Sequence, residues 1–184
     1  MEILTLWPLS QGEMEERGEG FLDAVRRARL PGDPPALTAA EVAGRIVRGG
    51  YPGVDAWAER RRSTWLRSYV TGVLERDVRE LTTMEAIAAL PRLLALLATR
   101  LATLVSLADV SRTTGIPHST LQRHMALLER TFLIHQIPGW GVKLGARVLK
   151  SPKLVFSDTG LATSILRLSS SRLRQEQIFG PALE

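Results

Sequence analysis

Cysteine is absent from the 184 residues, and histidine occurs only three times. The first absence removes disulfides and thiolate metal sites, and three scattered histidines offer no ligand set for zinc. With no cysteine to oxidise, a reducing, cytoplasmic setting is the default expectation. Long apolar runs are missing as well. The longest, around Leu93–Leu97, falls far short of the roughly 20 residues that cross a bilayer, so no membrane partner is expected. The opening Met1-Glu2-Ile3-Leu4 lacks the basic segment and cleavage pattern of a secretion signal. No serine sits in a nucleophile-elbow glycine pattern. No catalytic or metal-binding constellation can be assembled from what remains.

What is present is enough for a core. Hydrophobic residues make up 45% of the chain, which suits one domain of ordinary size or two small ones. The net charge of +5 is uneven. Residues 1–60 hold ten acids and seven bases, residues 61–100 four acids and seven bases, and residues 101–184 five acids and ten bases. The basic surplus therefore lies toward the C-terminal half, where an anionic partner would be met.

In chain order, Glu2–Trp7 alternates like a strand and stops at Pro8. Phe21, Leu22, Val25 and Ala28 fall on one helical face, followed by a proline-rich loop. Thr38 with Glu41 forms a capping box for a helix carrying Val42, Ile46 and Val47, which Gly49-Gly50-Tyr51-Pro52 ends. Trp57 to Glu80 reads as one long helix with Trp65, Leu66, Tyr69, Val70, Val73 and Leu74 on its apolar stripe. Asp77 is an acid beside that stripe, flanked by Arg76 and Arg79. Ala88 to Leu104 is a leucine-rich helix with Pro91 expected in its first turn.

The organising stretch runs from about Leu104 to Leu161. Ser106 caps a helix that ends at Gly115, which can take the positive φ of a tight turn. Ile116-Pro117 leads to a second helix from His118 to about Thr131, with Leu121, Met125 and Leu128 inward. Phe132–Ile137 reads as a strand, Pro138-Gly139-Trp140-Gly141 as a turn, and Lys153–Phe156 as the returning strand. Helix, turn, helix and two-stranded ribbon make the plan of a winged helix. The fold class expected is therefore mainly α, with a small β-ribbon. On the outward side of the second helix stand His118, Ser119, Gln122 and Arg123, residue types that contact base edges and phosphates. Lys143, Arg147, Lys150 and Lys153, in or beside the wing, could hold the backbone of double-stranded DNA. His124 and His135 are expected to be a helix-flank and a strand residue.

Several motifs occur together in order: Glu2–Glu13, Gly49-Gly-Tyr-Pro52, Trp65–Val70, Arg76-Asp-Val78, Gly115-Ile-Pro117 and Lys150–Leu161. Over nearly its whole length the chain resembles the prokaryotic AAA-type ATP-binding proteins that carry a C-terminal domain of unknown function. The resemblance implies a parent with a P-loop ATPase core that takes ATP and Mg upstream of Glu2. Residues 1–55 would be the end of that core with lid-like helices, and 56–104 linker helices. Residues 105–168 would be the winged helix, and 169–184 the start of a nuclease-like domain cut short. Arg76, Asp77 and Arg79 would be candidates to reach a nucleotide, or an interface with the chain's own ATPase core or an oligomer. No G-x-x-x-x-G-K-[ST] motif occurs in these residues, so hydrolysis of ATP by this chain alone is not expected.

Overall fold

The computed structural model describes residues 4–18, 20–28, 36–76, 84–139 and 151–183. Within them the chain is mainly helical, with a single two-stranded antiparallel sheet. The helices are α1 (Gln11–Met14), α2 (Phe21–Arg26), α3 (Ala39–Arg48), α4 (Glu59–Arg76), α5 (Met84–Ala98), α6 (Leu107–Thr114) and α7 (His118–Arg130). Strands β1 (Ile134–Ile137) and β2 (Lys153–Phe156) come next, then α8 (Thr159–Ile165) and α9 (Ser170–Leu173).

Local chemistry sets most boundaries. The Thr38 hydroxyl accepts the Glu41 N–H at 3.2 Å, and the Glu41 carboxylate accepts the Thr38 N–H at 2.7 Å, so two otherwise unpaired N–H groups at the start of α3 are satisfied reciprocally. Ser106 caps α6 through the Asp109 N–H at 3.3 Å. Gly115 ends that helix at φ 74, a left-handed conformation a glycine adopts without Cβ strain. Ser111 reinforces the turn by donating its hydroxyl to the Ile116 carbonyl at 2.6 Å.

The core is one continuous cluster. Ala43, Ile46 and Val47 of α3 meet Leu66, Val70 and Val73 of α4, Leu90, Leu93, Leu94 and Leu97 of α5, and Leu161 of α8. The same cluster runs into Val110, Leu121, Met125 and Leu128, and on to Ile134 and Leu154 of the sheet. Helices α6 and α7 are therefore fixed to the helical body by buried apolar contact, the dominant favourable term in folding.

Strands β1 and β2 pair in the register Ile134–Phe156 to Ile137–Lys153. Leu104 adds an isolated antiparallel bridge to Lys153, supported by Ala102 N–H to Leu154 O at 2.8 Å and Leu154 N–H to Thr103 O at 2.9 Å.

Four sequence expectations are revised. Leu4–Trp7 forms no ladder with any described residue, and Leu4 and Leu6 are 84% and 90% exposed; alternation without a neighbouring strand does not make a sheet. Helix α2 exists, but Leu22 and Val25 of its apolar face are exposed. Helix α5 begins at Met84 and ends at Ala98, so Pro91 lies in its interior. Its ring is on the exposed side, where packing does not oppose it. Leu104 is not helical and instead meets the ribbon.

Candidate nucleic-acid interface

Helix α7 divides cleanly by its 3.6-residue period. Leu121, His124, Met125 and Leu128 are buried, while His118, Ser119, Gln122 and Arg123 are exposed. Pro117 precedes the helix with no side-chain cap, so the first-turn N–H groups of α7 lack a side-chain acceptor, the arrangement that favours a phosphate oxygen. The structure thus brings together all four helix residues expected from sequence. Arg130 adds an exposed cation at the far end of the same helix.

The ribbon contributes less than the sequence implied. Lys143, Arg147 and Lys150 lie outside the described residues. Lys153 is half-buried on β2, engaged in pairing with Ile137 and Leu104. Of the second candidate group, Arg76 is exposed at the end of α4, its Nε donating to the Gly72 carbonyl at 3.4 Å, whereas Asp77 and Arg79 lie outside the described residues.

His124 is not a flank residue: it is 3% exposed among the inward leucines, and its Nδ1 has no hydrogen-bond partner. Burial, with a smaller contribution from Arg123, holds its pKa below the ordinary histidine value. His135 is a strand residue as expected, and its Nε2 lies 3.1 Å from the Ser157 hydroxyl. Burial lowers its pKa also. The Trp7 ring packs edge-on against His135 at 4.5 Å and Phe132 at 6.1 Å.

A joint that the sequence did not reveal holds α8 to the end of α3. Asp158 is buried, caps α8 through the Leu161 N–H at 2.7 Å, and accepts the Gly50 N–H at 2.6 Å. Burial pushes its carboxyl up from the ordinary aspartate value, opposed by the N–H groups of Gly50, Leu161 and Gly160 and by Arg62. Thr159 donates to the Ile46 carbonyl at 2.8 Å. A Cβ on Gly160 would stand 3.0 Å from the Val47 carbonyl, so glycine permits the close approach of α8 to α3. The glycine pair is a helix stop, as expected, with Gly49 at φ 65, and it is also the receiving half of this joint. Its only advance signal was the capping pattern Ser157-Asp158-Thr159-Gly160; the partner 108 residues away left none. Arg62 is a second buried polar residue that sequence missed, donating to the carbonyls of Asp55 at 3.0 Å and Trp57 at 2.6 Å.

Comparison with known proteins places these features in a family. Residues 40–172 match the model of Domain of unknown function (DUF8612), which takes in α3 through most of α9 and therefore the joint, α7 and the ribbon. The chain belongs to this family. It is also 30% identical over 150 residues to Uncharacterized protein Rv2008c of Mycobacterium tuberculosis and to Uncharacterized protein Mb2031c of Mycobacterium bovis. Each match covers 80% of this chain and 34% of the relative, so the chain spans about a third of the length of these curated relatives. No solved structure matches. Among the described residues, no helix is long and apolar enough to cross a membrane, and no group of three or more His, Asp or Glu side chains could hold a metal ion.

Proposed function

We propose that residues 105–168 include a winged helix that binds double-stranded DNA, with α7 in the major groove. The observation that carries this reading is the exposed set His118, Ser119, Gln122 and Arg123 on the first two turns of α7, opposite a face that is locked into the core. Arginine and glutamine there can form bidentate contacts with guanine and adenine edges. The uncapped N–H groups of α7 favour a phosphate. The Leu104 bridge beside the ribbon supports the winged-helix reading, since it adds a third extended segment next to α6.

The chain would then be a DNA-contacting part of a longer AAA-type ATP-binding protein. This rests on the motif resemblance and on the greater length of the mycobacterial relatives; ATP and Mg would belong to the rest of that protein. Duplex binding followed by fluorescence anisotropy tests the DNA role. Affinity should fall steeply, about tenfold or more, between about 50 and about 200 mM salt, and Arg123→Glu should abolish it. Duplex affinity that is absent at the lower salt, or indifferent to Arg123→Glu, would overturn the reading.

One observation favours a second use of the same module. Leu4, Leu6 and Trp7 are exposed beside Phe132 at the foot of the ribbon, an apolar surface suited to docking on the parent ATPase core or on a second copy. Sedimentation of the chain with and without Leu6→Asp distinguishes self-association through this surface from a monomer.

A further inference from the structure

Helix α4 carries an unusual stripe. Trp57, just before the helix, is followed at steps of four by Arg61, Trp65 and Tyr69, spacing that stacks side chains one above another on a single helical face. The Arg61 guanidinium lies 4.1 Å from the centroid of the Trp57 ring. Trp65 and Tyr69 are stacked at 5.6 Å with 10° between their planes. Tyr51 braces both from the side, 6.1 Å from Trp65 and 5.2 Å from Tyr69. Trp57 and Trp65 remain only half-buried, and they line an open slot of about 570 Å³ together with Arg60, Arg61, Thr64 and Ser68.

Beside it lies a second, polar concavity of about 490 Å³, lined by Arg60, Ser63, Thr64 and Arg67 of α4 and by Arg167 and Ser169 after α8. Arg60 and Thr64 border both, so slot and concavity are contiguous. The acid in this lining, Glu59, accepts the Ser170 N–H at 3.3 Å. Arg67 holds its guanidinium in place through Ser63 at 2.7 Å and Thr64 at 3.1 Å. Among the described residues no carboxylate comes within ion-pair distance of Arg60, Arg61, Arg67 or Arg167. Arg60, Arg67 and Arg167 thus present guanidinium donors to one concavity with no ion-paired carboxylate among the described residues, a lining that suits an anion.

We propose that this face of α4 is a track for single-stranded nucleic acid, with phosphates in the Arg60–Arg67–Arg167 concavity and bases against Trp57 and Trp65. Guanidinium forks match phosphate oxygens in pairs. Indole faces accept any unpaired base, whereas a duplex hides its base faces in the stack. An acidic peptide would satisfy the arginines but leave the indoles without a planar partner. The ligand chemistry is a nucleotide unit. The strand is preferred to a free nucleotide because slot and concavity together extend along α4 and onto the turn after α8.

The test is titration of the full chain with a labelled oligothymidylate of about 12 nucleotides, with ATP and polyglutamate as competitors, read by anisotropy and by tryptophan fluorescence. The expected result is salt-sensitive binding accompanied by tryptophan quenching. Arg60→Glu/Arg67→Glu/Arg167→Glu should weaken it at least about tenfold, and Trp57→Ala about fivefold with loss of part of the quench. Arg123→Glu on α7 should leave it unchanged, which separates this surface from the duplex site proposed above. Melting curves confirm folding; should the triple variant not fold, Arg167→Glu alone, on an exposed turn, serves with an expected loss of about threefold. Absence of binding, binding that survives these reversals, loss through Arg123→Glu, or displacement by ATP or polyglutamate as effective as by unlabelled oligonucleotide would each overturn the proposal.

Discussion

The Gly50 N–H donates to the Asp158 carboxylate at 2.6 Å across 108 residues of chain, and this bond ties the end of α3 to the start of α8. The same carboxylate holds the Leu161 N–H at 2.7 Å, so one buried side chain satisfies donors on two elements. Asp158→Ala should lower unfolding free energy by about 2–4 kcal/mol, because it strands the buried N–H groups of Gly50 and Leu161 that the carboxyl group had satisfied. Asp158→Asn should lose less: its amide oxygen can still accept one N–H, while its NH₂ must face the other donor. Denaturant titration decides this, and an Asp158→Ala variant within about 0.5 kcal/mol of the parent would remove the joint from any account of stability.

Sequence made the local devices visible. The Thr38–Glu41 box, the Ser106 cap and the Gly115 stop each depend on residues within a few positions, and the apolar period of α7 alone separated Leu121 and Met125 from Gln122 and Arg123. The Asp158–Gly50 joint was hidden because each half reads as an ordinary cap or helix stop. Leu4–Trp7 misled for the opposite reason: alternation is local, whereas a strand also needs a neighbour. The apolar stripe Trp65–Leu74 announced that α4 packs, but not that Arg61 would lie on Trp57, since the same side chain could equally have turned to solvent.

Buried histidine should make the fold acid-sensitive. The pKa of His124 is lowered by burial and that of His135 likewise. As pH falls through the ordinary histidine value of about 6.5, the unfolded chain takes up protons that the folded chain resists, so stability is present above that pH and is lost below it. The histidine contribution to the melting temperature should therefore drop between about pH 7.5 and about pH 5.5. Asp158, whose carboxyl is pushed up, acts with the opposite sign, so the difference between the parent and a histidine variant isolates the histidine contribution. His124→Leu removes one titrating group and a buried nitrogen without a partner, so its profile should be flatter. A His124→Leu profile as steep as the parent's would exclude His124 as a source of acid sensitivity.

Pro91 should be a site where substitution strengthens the protein. It lies inside α5 on the exposed side, where its missing N–H removes one helical hydrogen bond and its ring crowds the preceding turn. Alanine restores both, and Pro91→Ala should raise unfolding free energy by about 1–3 kcal/mol. A neutral or destabilised variant would mean that a bend at Pro91 is needed for Leu90, Leu93 and Leu94 to reach the core together.

Two glycines separate backbone strain from steric clash. At Gly115, φ is 74 and a Cβ would meet nothing within 4 Å, so Gly115→Ala should cost only the left-handed penalty of about 1 kcal/mol. Gly115→Asn should cost less, because asparagine tolerates that region. At Gly50 a Cβ would run into the carbonyl oxygen of Leu9, whose N–H is itself bonded to the Gly50 carbonyl at 2.7 Å. Gly50→Ala must therefore push the Leu9 segment off α3 or break the Asp158 bond, and should cost about 2–4 kcal/mol. The two variants should differ in kind as well as in size. Gly115→Ala should leave hydrogen exchange at Leu9 and Leu161 unchanged, whereas Gly50→Ala should speed it at both. Equal exchange in the two proteins would show that the Leu9 segment is not seated on α3 in solution.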